Sequence, residues 1–471
     1  MSVVEQMKLF LEPRSIAAVG ISRQTGPQAY NLLENLLHYG YQGRLYPVNP
    51  NATEILGVKT YATVGEIPEV ADVALISLPR NLVVPVVQDC LQKGIKAIVI
   101  ITQGFADADD VEGPQLQRRI VDMAKAAGAR ILGPNTFGVA NAHLKMSTSY
   151  IRIPMEVNGI GTVSQTGGTF VGLNDIRLVG KVVDVGDACD VDAVDSLHYF
   201  EQDPDTRVVV LHVEGMPDAK GFLAAVRRVA LKKPILCIKT GRSAQSARAV
   251  QSHTGAMTGS DLLWDVALRD AGAIRVNDIE ELSDAARAFL RLPPPKGNGI
   301  GVTTYTGGFG IIAADACGRY GMDLVEFSEP TMAALKALSP EWLGVGNPVD
   351  IWPGVSIMGH SRQEMETTVL RHVLSDPKVH AAMAVISAYE PRLGDEHLAM
   401  IRDVARDFPD KPFVYFMYGM HFEEVRRTLE STGTTLAFPS PERAVRALMH
   451  LKRRADFLAR HIARTGSPPR R

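Results

Sequence analysis

Cysteine is scarce in this chain of 471 residues, which has only Cys90, Cys189, Cys237 and Cys317. The four are widely spaced and none forms a CxxC pair, which argues against a disulfide framework or a cysteine-ligated metal site. We therefore expect small buried thiols in a reducing compartment.

Long apolar runs and a large net charge are missing as well. No run approaches the ~18 residues of a membrane-spanning helix. The N-terminal "MSVVEQMKLFLEPRS" carries two glutamates and no cleavage pattern, and predicts a first helix rather than a signal peptide. We therefore expect a cytoplasmic protein with no membrane partner. The formal net charge of −2 lacks the basic excess of nucleic-acid-binding proteins, so no nucleic-acid partner is expected either.

What the chain does contain is ample material for several hydrophobic cores. Hydrophobic residues make up 46% of it, and its length predicts about three domains. Continuous Val/Ile-rich runs predict strands that are buried on both faces of parallel sheets: "SIAAVGIS", "RLYPVNP", "VADVALISLP", "IKAIVIIT" and "ARILGPN". Helical segments such as "QAYNLLENLLHYG", which stops at Gly40, lie between them. This alternation predicts a doubly wound α/β fold.

We expect three doubly wound domains. A Rossmann-like domain at 1–145 is followed by flavodoxin-like domains at 146–292 and 298–460, and by a flexible tail at 461–471. The clearest break is "RLPPPKGNG" at 291–299, where prolines and glycines interrupt all periodicity. A weak internal repeat links the two later domains, since "GIGTVSQTGG" and "GIGVTTYTGG" share one layout.

The repeat contains two Thr-Gly-Gly turns, at 166–168 and 306–308, each between a predicted strand and a predicted helix. Glycines let backbone N–H groups approach a ligand, and a helix N-terminus adds partial positive charge. The hydroxyls of Ser164, Thr166 and Thr306 could add donors. One such turn can be explained by chain geometry alone, but two with the same layout favour a phosphate site.

The segment "AAVGISRQTG" at 17–26 is similar to a dinucleotide-binding turn but has no GxGxxG pattern. The second strand also ends in "YPVNP", without the acidic residue that binds a ribose. NAD binding, and with it an oxidoreductase, is therefore disfavoured, whereas a nucleotide-like ligand at this switch point fits. Arg23 is a candidate phosphate contact, although a solvated arginine explains it nearly as well.

His253 lies in a long stretch, 240–260, made mostly of Gly, Ala, Ser and Thr. The simplest interpretation is an exposed histidine without a role. Near two candidate phosphate turns, however, its imidazole is a candidate nucleophile that carries a phosphoryl group covalently. Glu214, which ends an apolar strand, is the candidate carboxylate that holds the other ring nitrogen, although a glutamate in solvent is also consistent.

Several motifs together resemble the NDP-forming acyl-CoA synthetases, which are kin of succinyl-CoA synthetase: "SHTGAMTGSD", "DAGAIRV", "YPVNP", "ITQGFAD", "ILGPNTFG" and "SQTGG". The resemblance extends over essentially the whole chain and is to the α subunit of the ADP-forming acetate–CoA ligase type. It implies a CoA-binding first domain, a ligase-CoA second domain with a phosphohistidine loop, and a third flavodoxin-like domain. The implied reaction interconverts acyl-CoA, ADP and phosphate with a carboxylic acid, CoA and ATP, through an acyl phosphate and a phosphohistidine.

The resemblance also implies roles for individual residues. His253 is the phosphoryl carrier and Glu214 its carboxylate partner. The implied phosphate-binding residues are Ser164, Gln165, Thr166, Gly167, Gly168, Thr306, Gly307 and Gly308. The implied CoA-binding residues are Gly20, Ser22, Arg23, Pro47, Asn49, Pro50, Ser77, Pro79, Thr102, Gly104, Phe105 and Asn135.

The nucleotide site is expected on another chain. All residues are already assigned, and an ATP-grasp module would need about 200 more. ATP or ADP and Mg²⁺ are therefore expected mainly on an ATP-grasp β subunit in an α2β2 assembly, with CoA and a small carboxylic acid as ligands and no metal site on this chain. The alternative is a non-catalytic CoA- or acyl-CoA-binding regulatory protein, for which a retained His253 would have no use.

Overall fold

The structure is a computed structural model, and it describes residues 1–26, 29, 31–153, 155–168, 180–246 and 260–468. The chain divides into two compact units, residues 1–282 and the residues from 283 onward. His253 and its "SHTGA" motif lie outside the described residues. Among the helices that the structure describes, none combines the length and the apolarity that crossing a bilayer requires.

The first sheet has five parallel strands in the order β2-β1-β5-β6-β7. They are β1 (Ser15–Val19), β2 (Arg44–Val48), β5 (Val73–Ile76), β6 (Ala97–Ile100) and β7 (Arg130–Leu132), with a separate hairpin of β3 (Glu54–Ile55) and β4 (Val58–Lys59). The helices are α1 (Val3–Leu11), α2 (Leu32–Tyr39), α3 (Arg80–Lys93) and α4 (Glu112–Ala126). Gly40 ends α2 in the left-handed conformation, with a φ of 79°, which confirms the predicted stop.

The second sheet has seven strands in the order β14-β13-β12-β10-β11-β8-β9. They are β8 (Val139–Asn141), β9 (Met146–Ser147), β10 (Ile160–Ser164), β11 (Lys181–Asp184), β12 (Val208–Val213), β13 (Ile235–Lys239) and β14 (Ile274–Val276), with helices α5 (Ala193–Gln202), α6 (Ala219–Lys232) and α7 (Asp261–Ala271). Strand β8 pairs antiparallel with β11. The expected boundary after residue 145 therefore falls between two strands of this sheet.

The third sheet lies in the second unit and has the order β16-β15-β18-β19-β20, with β17 beside β15. Its strands are β15 (Gly299–Thr304), β16 (Asp323–Leu324), β17 (Val349–Asp350), β18 (Ala381–Ser387), β19 (Phe413–Tyr418) and β20 (Leu436–Phe438). The helices are α8 (Ile279–Arg291), within which the unit begins, α9 (Gly307–Tyr320), α10 (Glu329–Ala337), α11 (Trp352–Ser356), α12 (Arg362–Ser375), α13 (Asp395–Asp407), α14 (Phe422–Glu430) and α15 (Pro441–Thr465). The last helix thus continues through the first residues of the expected tail.

Five parallel strands in each sheet share one topology, once β8 and β9 of the second sheet and the short β17 of the third are set aside. Among those five, the first strand lies between the second and the third, and the fourth and fifth follow. This is the flavodoxin-like order, and the doubly wound α/β fold is confirmed. Because the core strands are parallel, their carboxyl ends meet at one edge, with a switch point beside the first strand where ligands bind.

The internal repeat has a packing reason. Gly161 in β10 and Gly301 in β15 are the third residues of the two Gly-Ile-Gly motifs, and each strand has parallel neighbours on both sides. A Cβ at Gly161 would overlap the ring of Phe200 on α5, and one at Gly301 would overlap Val373 on α12. Glycine in both strands therefore lets a helix pack directly against the middle of the sheet.

Candidate functional site

The two predicted anion-binding turns have the same hydrogen-bond pattern. In the first, the Thr166 N–H donates to Ser164 Oγ over 3.0 Å, and that hydroxyl donates to the Thr166 carbonyl over 2.8 Å. In the second, Thr306 N–H and Thr304 Oγ1 make the equivalent pair of bonds, also over 3.0 and 2.8 Å. The single hydroxyl proton at the end of each strand is thus used in shaping the turn, so the predicted donor Ser164 donates within the protein.

Helix α9 starts directly at the second turn. Thr306 is its N-cap residue, and the Thr306 carbonyl accepts a hydrogen bond from Gly310 N–H over 3.1 Å. A Cβ placed on Gly307 would lie 3.4 Å from a carboxylate oxygen of Asp350, so this turn has an acidic neighbour that the sequence did not indicate. After the first turn, residues 169–179 lie outside the described residues, so the predicted helix there is not described.

Gln165 ties the first turn to the neighbouring strand end. Its Oε1 accepts hydrogen bonds from the N–H groups of Glu214, over 2.6 Å, and Gly215, over 3.3 Å, and its Nε2 donates to the Gly215 carbonyl over 3.1 Å. The side chain is therefore committed to holding the ends of β10 and β12 together. It positions Glu214 relative to the Ser164 turn.

Glu214 lies in a buried cluster of titratable groups at this edge. Burial raises the pKa of Asp184 on β11 to about 6, and the negative charge of Glu214 contributes to this shift. Burial lowers the pKa of His212, two residues before Glu214 on β12, to about 4. The imidazole of His212 therefore stays neutral at pH 7 and adds no positive charge beside the two carboxyl groups.

Lys239 lies at the candidate site, and the sequence analysis did not single it out. It ends β13, is buried, and its Nζ donates to the carbonyls of Glu214 and Thr240 over 2.6 and 2.5 Å. The same ammonium lies 5.7 Å from the ring centroid of Trp264 on α7. It thus links Glu214 to both flanks of the His253 segment. The available signal was a lone lysine inside the apolar run "PILCIK".

The switch point of the first sheet contains a cavity of about 540 Å³. Four of the predicted CoA-binding residues line it, namely Gly20, Ser22, Asn49 and Pro50, together with the apolar side chains of Val64, Leu82, Pro85 and Val86. Gly20 has a φ of +84°, and a Cβ there would overlap the Ser77 carbonyl oxygen. The size and lining fit one end of a nucleotide-like ligand.

The other predicted CoA-binding residues are more dispersed. Thr102 follows β6, and its Oγ1 donates to the Leu78 carbonyl over 2.6 Å. Gly104 and Phe105 follow, but the Phe105 side chain is fully buried in the core, so only its backbone is near a surface. Pro47 lies inside β2, paired with Ala18 of β1. The remaining members, Arg23, Ser77, Pro79 and Asn135, lie on loops after strands of the first sheet.

Asp187 is a second residue that the sequence did not single out. Asn135 Nδ2 donates to its Oδ1 over 3.4 Å, and burial, with the charge of Asp107, raises the pKa of Asp187 to about 7. With Gln165, Asp187 lines a cavity of about 300 Å³ beside the first turn. Asp187 therefore lies between a predicted CoA residue and the predicted phosphate turn.

The second turn opens onto a cavity of about 520 Å³ in the third sheet. Its lining combines aromatic rings with a few polar groups: Tyr305, Thr306, Gly307, Asp350, Trp352, Arg362, Ser387, Tyr389 and Tyr418. The hydroxyls of Thr306 and Tyr418 lie 2.7 Å apart and share a hydrogen bond. In the described part of the chain, no group of three or more side chains is arranged to hold a metal ion.

Two family models match the chain. Residues 14–142 match the CoA binding domain, and residues 158–289 match the succinyl-CoA ligase like flavodoxin domain. The chain is 33% identical to the ADP-forming acetate–CoA ligase I subunit alpha of Pyrococcus furiosus, over 97% of this chain and 99% of that protein. It is also 33% identical to the ADP-forming acetate–CoA ligase of Methanocaldococcus jannaschii, over 95% of this chain, but spans only 63% of that longer protein.

Solved structures agree with these matches. The dinucleotide forming acetyl-coenzyme A synthetase 1 of Ca. Korarchaeum cryptofilum, solved with phosphate and ADP, is 30% identical and superposes with a TM-score of 0.86 over 98% of this chain and 99% of that one. PH0766 from Pyrococcus horikoshii OT3 is 28% identical, with a TM-score of 0.81 over 96% of this chain and 99% of that one. This chain therefore belongs to the family of ADP-forming acyl-CoA ligases, which are acid–thiol ligases, and within that family to the α subunits.

Proposed function

We propose that this ligase α subunit interconverts acyl-CoA, ADP and phosphate with a carboxylic acid, CoA and ATP by way of a phosphohistidine at His253. A phosphate oxygen attacks the thioester carbonyl, the C–S bond breaks, and the CoA thiolate leaves and takes up a proton. An imidazole nitrogen of His253 then attacks phosphorus in the acyl phosphate, and the carboxylate leaves. Finally an oxygen of the ADP β-phosphate attacks the phosphohistidine, the P–N bond breaks, and ATP leaves with a neutral His253 behind.

The observation that carries this proposal is the position of Glu214. Its carboxyl group lies at the carboxyl edge of the second sheet beside Asp184, and Gln165 ties its backbone to the Ser164 turn. A buried carboxylate next to an anion-binding turn suits a histidine that must be held in one tautomer and stabilised when charged. We assign phosphate binding to both turns, Ser164–Gly168 and Thr306–Gly308, chiefly through the backbone N–H groups of their glycines, because the Ser164 hydroxyl proton and the Gln165 amide already make hydrogen bonds within the protein.

We assign CoA to the first domain, with its nucleotide end in the 540 Å³ cavity that Gly20, Ser22, Asn49 and Pro50 line. The loops after β6 and β7, with Thr102, Gly104 and Asn135, then lead from that cavity toward Asp187 and the first turn. The Phe105 side chain does not contact CoA in this arrangement, because it is buried in the core of the first domain.

We further propose that an ATP-grasp β subunit completes the enzyme, in an α2β2 assembly, and holds ADP and Mg²⁺. The relatives that this chain matches over nearly their full length include proteins named as α subunits. The matched protein from Methanocaldococcus jannaschii, whose name mentions no subunit, is longer than this chain. A cytoplasmic location fits the four cysteines, all of which are free thiols. Relatives are named for acetate, 4-hydroxybutyrate and feruloyl-CoA, so the acid is a small carboxylic acid of a class that the family does not fix.

Phosphoryl transfer to His253 is testable with γ-³²P-labelled ATP, the purified chain and its partner subunit. Acid-labile, base-stable label should appear on this chain and be absent from His253→Ala, while the exposed His360→Ala variant should label as the wild type does. Glu214→Gln should label about 10- to 100-fold more slowly, because the amide has no charge to stabilise the imidazolium. Label that persists in His253→Ala would rule out this mechanism, and CoA binding without any label would favour the regulatory alternative.

A further inference from the structure

The cavity at the carboxyl edge of the third sheet has four aromatic walls. Tyr305 follows β15, Tyr418 ends β19, Trp352 begins α11, and Tyr389 follows β18. At about 520 Å³ the cavity has the size of a small-molecule site. Trp352 and Tyr389 are 50% and 72% exposed, so both rings are accessible to a ligand in the cavity.

Two of the walls are held rigidly. The Tyr305 hydroxyl donates to the Arg362 carbonyl over 2.7 Å and lies 3.1 Å from the buried carboxylate of Glu366. The Tyr418 ring stacks on Phe309, with centroids 4.1 Å apart and an interplanar angle of 24°. Fixed rings bind a flat apolar group at little cost in conformational entropy.

Arg362 supplies the polar end of the cavity. Its guanidinium carbon lies 4.4 Å from the Tyr305 ring centroid, and its Nη2 donates to Ser387 Oγ over 3.1 Å. Within the described part of the chain this guanidinium has no carboxylate partner, so most of its N–H donors are available. A guanidinium fork matches the two oxygens of a carboxylate.

We propose that this cavity binds the acid substrate and that the substrate is an aryl carboxylic acid, with its ring among the four aromatic walls and its carboxylate at Arg362. The inference rests on the proposed function, because an acyl phosphate places the acyl group next to a phosphate turn, and the cavity includes Thr306 and Gly307 of that turn. It goes further in naming the substrate class. Acetate would leave the aromatic walls uncovered, whereas a ring of benzoate or cinnamate size covers them.

Direct binding to the full chain tests this proposal without the partner subunit. Calorimetric titration should show trans-cinnamate binding about tenfold or more tightly than acetate. Arg362→Gln and Trp352→Leu should each weaken cinnamate binding by about tenfold, since one removes the carboxylate partner and the other a wall. Arg319→Gln and Trp342→Leu change exposed residues that do not line the cavity, and should bind as the wild type does. The proposal is overturned if cinnamate binds no more tightly than acetate, or if the two cavity variants match these controls.

Thioester formation with the partner subunit, ATP and CoA separates this inference from the proposed function. We expect a higher kcat/KM for cinnamate than for acetate, and a raised KM for cinnamate in Arg362→Gln but not in the control Arg319→Gln. If acetate is preferred and Arg362→Gln changes neither constant, the inference fails while the proposed function stands. If no acid gives a thioester and no label reaches His253, the proposed function fails, and the titrations still decide whether the cavity prefers an aryl acid.

Discussion

At the scale of single residues, the candidate sites depend on absent side chains and on buried charges. Gly20 is required where the chain leaves β1, because its φ of +84° and the nearby Ser77 carbonyl exclude a Cβ. Asp184 is the opposite case, a charged group taken out of water beside a second carboxyl, Glu214. The buried carboxyl pair is locally unfavourable, which is typical of functional sites, whereas the backbone at Gly20 is unstrained only because the residue is glycine.

Replacing Gly20 by alanine should disturb both stability and CoA binding. The left-handed backbone alone costs an alanine about 1–2 kcal/mol, and at Gly20 the overlap with Ser77 adds to it. Gly57 is the matched control, because its φ of +77° is similar and nothing lies within 4 Å of its Cβ position. Urea denaturation should show a larger loss in free energy of unfolding for Gly20→Ala than for Gly57→Ala, and calorimetry should show weaker CoA binding only for Gly20→Ala. Equal losses would mean that the Ser77 contact relaxes freely.

The raised pKa of Asp184 should make the free energy of unfolding fall as the pH rises. Because burial raises its pKa from 3.8 to about 6, the native state holds a proton that the unfolded state has already released in this window. The stabilisation is therefore present below about pH 4 and is lost as the pH rises through about 6. Relative to wild type, Asp184→Asn should become more stable by about 2–3 kcal/mol between these limits. The free energy of unfolding should be measured for both proteins at several pH values within this window. Parallel curves for wild type and Asp184→Asn would contradict the raised pKa of Asp184 in the native state.

At the scale of secondary-structure elements, cross-links between neighbouring strand ends build the site. Gln165 joins the end of β10 to that of β12, and Lys239 joins β12 to β13. Each cross-link satisfies backbone groups that the sheet leaves unpaired where its strands diverge. Such links fix the backbone of Glu214, the candidate carboxylate partner, just beyond the end of β12.

Removing the Gln165 cross-link should loosen Glu214. Gln165→Leu leaves the buried Glu214 N–H without its acceptor, which should lower the free energy of unfolding by about 1–3 kcal/mol. Gln42→Leu removes an exposed side-chain bond to the Gly40 carbonyl and should change stability by less than about 0.5 kcal/mol. If Gln165 also positions Glu214, the rate of His253 phosphorylation should fall in Gln165→Leu and not in Gln42→Leu. An unchanged rate with lowered stability would make the cross-link structural only.

At the scale of the whole molecule, the chain repeats one sheet topology three times, but it divides into two compact units. The division falls inside α8 rather than in the proline-rich segment after it. Leu292, in that segment, is buried in the same cluster as Ala288 of α8 and Ile300 of β15. Part of the predicted break is therefore core of the second unit.

This packing predicts how the segment responds to substitution. Leu292→Ala should lower the free energy of unfolding by about 2–4 kcal/mol, because it creates a cavity in that core. Pro294→Ala, at an exposed position two residues later, should cost less than about 1 kcal/mol. Urea denaturation of the full-length variants measures both values. If this segment were a linker outside the core, both substitutions would change the free energy of unfolding by equally small amounts.

The sequence by itself determined the doubly wound architecture, the paired turns and the resemblance to acyl-CoA ligases. These follow from local signals: continuous apolar runs make buried strands, Gly40 stops a helix, and hydroxyl and glycine residues shape a turn between positions that are close in the chain. The motif around His253 is likewise readable in one stretch of sequence.

Only the tertiary structure decided which side chains meet. The elevated pKa of Asp184, the committed side chain of Gln165, and the aromatic walls around Arg362 all depend on residues far apart in the chain. The membership of β8 in the second sheet also depends on a distant residue range, because β8 pairs with β11, about 40 residues later. Desolvation, strand pairing and cavity shape are set by the packing of whole elements, so no local pattern of residues encodes them.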